Sequence, residues 1–195
     1  IKQTHFFKYV NKKVVSLGLV ASEFSHLKQP ADLKEWSDGC KKAGLGGVSG
    51  IAGGPFHSRA VVGGTGAVYS WGHGYQGQLG LGGQGNRDVP TAVPGLGGVV
   101  AVEAVDHSLA LGRDGTLRSW GYNAFGQLGL GDRQHRSSPT VVAGLRHVVD
   151  MAGGESHTIA ATLEGHVYAW GTGDATGRDA TCDVPTRVTT GLEGL

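Results

Sequence analysis

No lysine follows Lys42 and no arginine precedes Arg59, so the two cationic residue types never share a segment. Residues 1–42 carry eight lysines against four acids, a charge of +4, and the remainder carries nine arginines against twelve acids, −3. The net charge of +1 neither demands nor excludes a polyanionic partner, but a compositional boundary falls near residue 43. Cysteine is equally scarce. Cys40 and Cys182 stand alone without C-x-x-C spacing, which excludes a disulfide framework, gives no cysteine-built metal site, and points to a reducing compartment. No apolar run approaches the roughly 18 residues of a membrane helix. "VVSLGLVA" at residues 14–21 is too short for one. Six prolines and no Gly-X-Y period exclude collagen. The chain opens at Ile1 without an initiator methionine, which suggests a fragment or a processed form. Ser-His-Asp and Cys-His constellations, phosphate loops and H-E-x-x-H are all missing, so the expectation is no enzyme, no cofactor and no metal.

What the chain has is glycine: 36 of 195 residues, well above the usual share of about 7%. The glycines separate short runs rich in Val, Thr, Tyr and Trp, the pattern of many strands joined by tight turns. The regularity goes further. His57, His107 and His157 recur every fifty residues, and Trp71, Trp120 and Trp170 at spacings of 49 and 50. Gly66, Gly115 and Gly165 each fall five residues before a tryptophan, and Pro90, Pro139 and Pro185 follow, each leading to "GL" at Leu96, Leu145 and Leu192. "WGHGYQGQLGLGG" (71–83) returns as "WGYNAFGQLGLGD" (120–132). Three units are thus expected at approximately 48–97, 98–146 and 147–195. Residues 1–47 read as a basic arm with a degenerate copy, marked by Val14-Val15, Ser25-His26, Trp36 and Gly44-Leu45-Gly46, in which about fourteen residues are lost after Gly46-Gly47.

Inside a unit, "HSLALGRDGTLRSWG" (107–121) predicts two alternating strands around Asp114-Gly115, a turn in which glycine accepts positive φ. In "HTIAATLEGHVYAWG" the alternation places Ile159 and Ala161 on one face and Thr158 and Ala160 on the other. "VVAVEAV" supplies a strand before the hairpin and "PTVVAGL" one after it. Four strands per fifty residues form one antiparallel sheet with two faces to cover, so the sheets must stack on each other. Radial stacking gives a β-propeller.

The repeated "WG…GQLGLG", "HS/HT.A", "G.VY.WG" and "PT.V.GL" strongly resemble the regulator of chromosome condensation (RCC1) repeat family. The resemblance covers residues 48–195 closely and 10–47 weakly. It implies an all-β, RCC1-type propeller, here partial: about three and a half four-stranded blades of a seven-bladed ring. "GQLGLG" then builds blades. Trp71, Trp120 and Trp170 fill the space between sheets, with Leu79, Leu81, Leu128 and Leu130 buried beside them. A half ring exposes its flanks, so other protein chains, or further sequence, are expected to complete it. The ultraviolet photoreceptor branch carries tryptophan in "G-W-R-H", whereas this chain reads "GGPFH", "EAVDH" and "GGESH", so photoreception is not expected.

Candidate sites are few. The histidine series His57, His107 and His157 is assigned to structure, each ring holding its own turn at a strand start. Asp106, before His107, is not demanded by the repeat, since Phe56 and Ser156 occupy the matching places. In the family's Ran-exchange member an Asp at that position takes part in nucleotide exchange, so a small GTPase is one implied partner. Arg133, His135 and Arg136 in "DRQHR" are candidates for gripping carboxylates or phosphates, including those of nucleic acid or a nucleosome. Lys2, Lys8, Lys12 and Lys13, interleaved with Phe6, Phe7 and Tyr9, read as a terminal strand, with RNA or an acidic protein as the alternative ligand. The preferred function is a non-enzymatic interaction and structural subunit. Guanine-nucleotide exchange or chromatin binding is the alternative.

Overall fold

The computed structural model describes residues 45, 47–173 and 181–189; the basic arm and nearly all of the degenerate copy lie outside them. The described chain forms twelve strands. The first sheet is β1 (Val48–Gly53), β2 (His57–Val62), β3 (Ala67–Gly72) and β4 (Arg87–Ala92). The second is β5 (Val99–Ala104), β6 (His107–Gly112), β7 (Leu117–Gly121) and β8 (Arg136–Val141), and the third β9 (Val148–Gly153), β10 (His157–Thr162), β11 (Val167–Gly171) and β12 (Cys182–Arg187). Every sheet is an antiparallel meander in chain order. First strands lie beside first strands, and β5 also packs against β2 as β9 does against β6, so the sheets radiate from a shared centre as blades.

The repeat unit explains this stacking locally. Asp114 accepts the Thr116 N–H at 3.0 Å, and Gly115 takes φ +76° in the β6–β7 turn. The carbonyl of Gly115 then receives the N–H of Val148 at 3.2 Å, as that of Gly66 receives Val99 at 3.1 Å. The first two hairpin tips are therefore each bonded to the first strand of the next sheet. β6 is buried along its whole length because sheets cover both of its faces.

Two apolar cores lie between the sheets. Val61, Val68, Val99 and Val102 surround Trp120 in the first, and Leu109, Leu117, Val148 and Met151 surround Trp170 in the second. Both indoles are fully buried, and Trp71 is nearly so. Leu79 and Leu128 are fully buried, while Leu81 and Leu130 pack at the core margins.

The glycine-rich string now has a mechanical reading. The carbonyl of Gln78 accepts the indole N–H of Trp120 at 2.9 Å and the Ser108 hydroxyl at 2.8 Å, both from the next sheet. Gln127 repeats this with Trp170 at 2.9 Å and Thr158 at 2.8 Å. Two residues on, Gly80 and Gly129 lie flat against the same indoles: a Cβ on either would sit 2.6 Å from the ring nitrogen. Gly82 and Gly131 close the string by donating to Ser137 and Asp183 on the outer strand of the next sheet, at 2.8 and 2.9 Å. The string is a clasp between blades.

Replacing Trp120 by alanine is expected to cost about 3–5 kcal/mol in urea unfolding. Gly129→Ala should cost several times more than Gly131→Ala, although both glycines have positive φ. An added methyl at Gly129 strikes the indole, whereas at Gly131 it meets Val184 at an ordinary 3.7 Å. Equal losses would show that backbone strain, not the indole contact, sets the requirement.

Candidate interaction face

At one end of the sheets, the turns between first and second strands meet the segments that follow the third strands. They enclose a cleft of about 410 Å³. Its first wall comes from the first unit: Phe56 stacks on His73 with ring centres 5.7 Å apart, and His73 meets Tyr75 edge-on at 5.7 Å. The second unit builds the other wall, where Tyr122 packs against Phe125 at 6.1 Å and against His135 at 4.9 Å. Phe56, Tyr75 and Phe125 are 61%, 66% and 41% exposed, three large apolar rings grouped at one cleft.

Two carboxylates share this cleft. Asp106 occupies the tight β5–β6 turn, closed by Val105 N–H to the His107 carbonyl at 3.0 Å, and Glu155 stands in the equivalent β9–β10 turn. Partial burial raises the Asp106 carboxyl above its ordinary range, and the neighbouring Glu155 charge raises it further. Among the described residues neither acid has an ion-pair partner.

Beneath the cleft, the two inter-sheet junctions differ. In the second, His107 Nε2 lies 2.8 Å from Thr158 Oγ1, whose proton goes to the Gln127 carbonyl, so the imidazole is the donor. For His107 the sequence expectation that the ring ties its own turn is corrected here. The turn is closed by main-chain atoms, and the ring reaches into the next sheet. In the first junction the matching hydroxyl, Ser108, is engaged by Arg59 and by the Gln78 carbonyl. Arg59 stands where the other units have Leu109 and Ile159. It is 1% exposed, donates to the Glu103 carbonyl at 2.6 Å and the Gln78 carbonyl at 2.5 Å, and lies 4.9 Å over the Trp120 ring. Nε2 of His57, buried at the cleft floor, is left unpaired.

Burial, followed by the Arg59 charge, lowers His57 to about 2 and His107 to about 3, so both are neutral imidazoles at physiological pH. Burial also lowers Arg59, to about 9, leaving it a cation. His157 is half-buried. No group of three His, Cys, Asp or Glu side chains among the described residues is placed to hold a metal ion.

The "DRQHR" loop is tied into the chain. Arg133 Nε pairs with Asp183 of the third sheet at 3.1 Å, Arg136 pairs with Asp132 at 2.6 Å, and His135 Nδ1 accepts the Asn123 N–H at 3.0 Å. The arginines do grip carboxylates, but those of their own chain. Only His135 of the three borders the aromatic wall. The cleft aromatics and Glu155 were not singled out in the sequence, although they share a detectable signal: they occupy positions where the copies of the repeat disagree.

Comparison with known proteins agrees with this geometry. Sequence profiles described as "Regulator of chromosome condensation (RCC1) repeat" match residues 65–111, 114–161 and 148–175. The chain is 34% identical over 127 residues to the ultraviolet-B receptor UVR8 of Arabidopsis thaliana, covering 62% of this chain and 29% of the receptor. Human WBSCR16 superposes with a TM-score of 0.67 at 31% identity, over 76% of this chain and 39% of that one. Yeast RCC1 (Prp20), solved bound to Kap60, gives 0.68 at 26% identity, over 77% and 38%. The chain thus spans about two fifths or less of the length of these relatives.

The buried histidines predict an acid-labile fold. Their folded-state values, about 2 and about 3, lie below the ordinary 6.5, so below pH 6.5 the unfolded chain takes up protons that the folded chain refuses. Stability should fall as pH drops from 6.5, by about 1.4 kcal/mol per pH unit for each ring. His107→Gln keeps a donor for Thr158 and should remove about one proton from the slope between pH 6.5 and 5, read from urea midpoints. An unchanged slope would refute the assignment.

Proposed function

The chain belongs to the regulator of chromosome condensation (RCC1) repeat family, and from that premise we propose that it is a non-enzymatic interaction and structural subunit, a propeller segment working inside a larger ring or assembly. The supporting observation is the face of β10. Leu109 and Leu111 on β6 are 0% and 4% exposed because the third sheet covers them. Their counterparts on β10 are Ile159, 39% exposed, and Ala161, half-buried. This apolar face copies one that another blade covers, so its natural cover is a further RCC1-type sheet, from another chain or from more sequence.

Nucleotide exchange on a Ran-like small GTPase is the second reading. Asp106 favours it by lying on an open cleft, and so does likeness to yeast Prp20, whose structural study concerns its binding to Gsp1p and histones. Binding to nucleic acid or a nucleosome through Arg133 and Arg136 has weaker support, because both guanidiniums would first have to leave internal carboxylates.

In extracts of its own cell the protein should sediment well above the 20.1 kDa of this chain. Ile159→Glu should release it with an unchanged melting temperature where another chain is the cover, and should lower the melting temperature with no change in mass where further sequence is. A protein that sediments at the 20.1 kDa of this chain, or a variant that moves neither the profile nor the melting temperature, would defeat the assembly reading. Faster release of labelled GDP from a small GTPase, abolished by Asp106→Ala, would favour exchange. No acceleration would remove it.

A further inference from the structure

We propose that the cleft between the first and second units receives an arginine side chain from a partner protein, its guanidinium lying between the aromatic walls and pairing with Asp106 and Glu155. The inference does not depend on the β10 flank: either surface can be occupied without the other.

Three observations carry it. The first is that the rings are not scaffold. Phe56 is replaced by Asp106 and Ser156 in the other units, and His73 by Tyr122 and Thr172, so the blade does not need aromatics there. They are grouped on one cleft and remain exposed at a hydration cost that a ligand would remove. Secondly, two carboxylates share the cleft without a cation among the described residues. A cation between them relieves their mutual repulsion. Thirdly, the surroundings favour arginine. A planar guanidinium stacks on Tyr, Phe and His rings while presenting forked N–H donors at its edge, whereas an ammonium is a compact, strongly hydrated point charge. Phosphate, and with it nucleic acid, is disfavoured by the two acids.

Arg59 does not cancel this field at the rim. Its terminal nitrogens point to the Glu103 and Gln78 carbonyls and Ser108 below the floor, its Nε has no partner, and it is not among the groups that shift Asp106. Glu155 is the charged group that Asp106 responds to. The charges of the neighbouring loop, Arg133 and Arg136, are neutralised by Asp183 and Asp132.

The test is an NMR titration of the full chain with N-acetyl-arginine amide, and in parallel with the lysine and glutamine derivatives. Arginine should produce saturable shifts in amides 104–107 and 154–156 and in the rings of Tyr75, Tyr122 and Phe125. Lysine should bind several-fold more weakly, and glutamine should not saturate. The double variant Asp106→Asn/Glu155→Gln should weaken arginine at least tenfold, and Tyr75→Ala several-fold, with melting temperatures unchanged since these side chains are at the surface. Equal responses to arginine and glutamine, shifts elsewhere than the cleft, or indifference to the double variant would overturn the proposal. Self-association abolished by the double variant but not by Ile159→Glu would also overturn it, by making the occupant a second copy. Failure of the Ile159→Glu sedimentation test leaves this titration unaffected, so the two readings fail separately.

Discussion

The described chain is organised around a main-chain carbonyl, that of Gln78 in one unit and Gln127 in the next. Each accepts an indole N–H and a hydroxyl proton from the following sheet, so a buried acceptor is saturated from across the junction. Sliding one blade past its neighbour would break both bonds in an interior that offers no water to replace them. The arrangement fixes four other residues. Tryptophan must stand on the third strand, Ser or Thr one place after the histidine, leucine after the glutamine, and glycine where the indole lies. A requirement that ties residues of two units together, from Gln78 to Trp120 and again from Gln127 to Trp170, is why an odd string returns with so little change.

That requirement also decides what the sequence could disclose. Trp71, Trp120 and Trp170, the hairpin glycines and the alternation around Ile159 are consequences of stacking, and stacking repeats, so spacing alone exposed them. The cleft is the opposite case. Asp106 was visible because the histidine beside it is a repeat landmark, but Glu155 lies 49 residues away and one place earlier in its turn. Nothing in the string brings the two together; the radial placement of the turns does. Phe56, His73 and Phe125 carry no motif of their own, since their meaning lies in lining one cleft together. The His107 bond departs from expectation for a related reason. A residue at a strand start suggests a local partner, but a strand start in a blade is also a junction, and the stronger partner lies in the next sheet.

Arg59 shows how much variation the clasp tolerates. A cation replaces leucine inside a junction, yet the Gln78 carbonyl keeps both of its other donors. The guanidinium is not matched by a buried carboxylate. It is held by carbonyls, a hydroxyl and the face of Trp120, while Glu103 contributes a carbonyl and a half-buried charge. Burying a charge on neutral acceptors is costly, and replacing such groups by apolar ones is often neutral or stabilising. The consequence within the junction is that Ser108 is engaged by the newcomer and His57 loses the partner that His107 retains. One substitution thus separates two junctions that share a backbone.

A scaffold specified by so few positions leaves its turns free to differ, and the differences collect where the turns converge. Radial stacking brings three turns and two post-strand loops to one end, so residues from three units border a single cleft without any unit encoding it. Each unit contributes what the others lack: Phe56, His73 and Tyr75 from the first, Asp106, Tyr122 and Phe125 from the second, Glu155 from the third. A repeat protein acquires a specific surface by this division. The shared positions hold the blades at a fixed spacing, and the unshared ones, carried on turns that the spacing brings together, compose a surface whose chemistry belongs to the assembly of blades and to none of them singly.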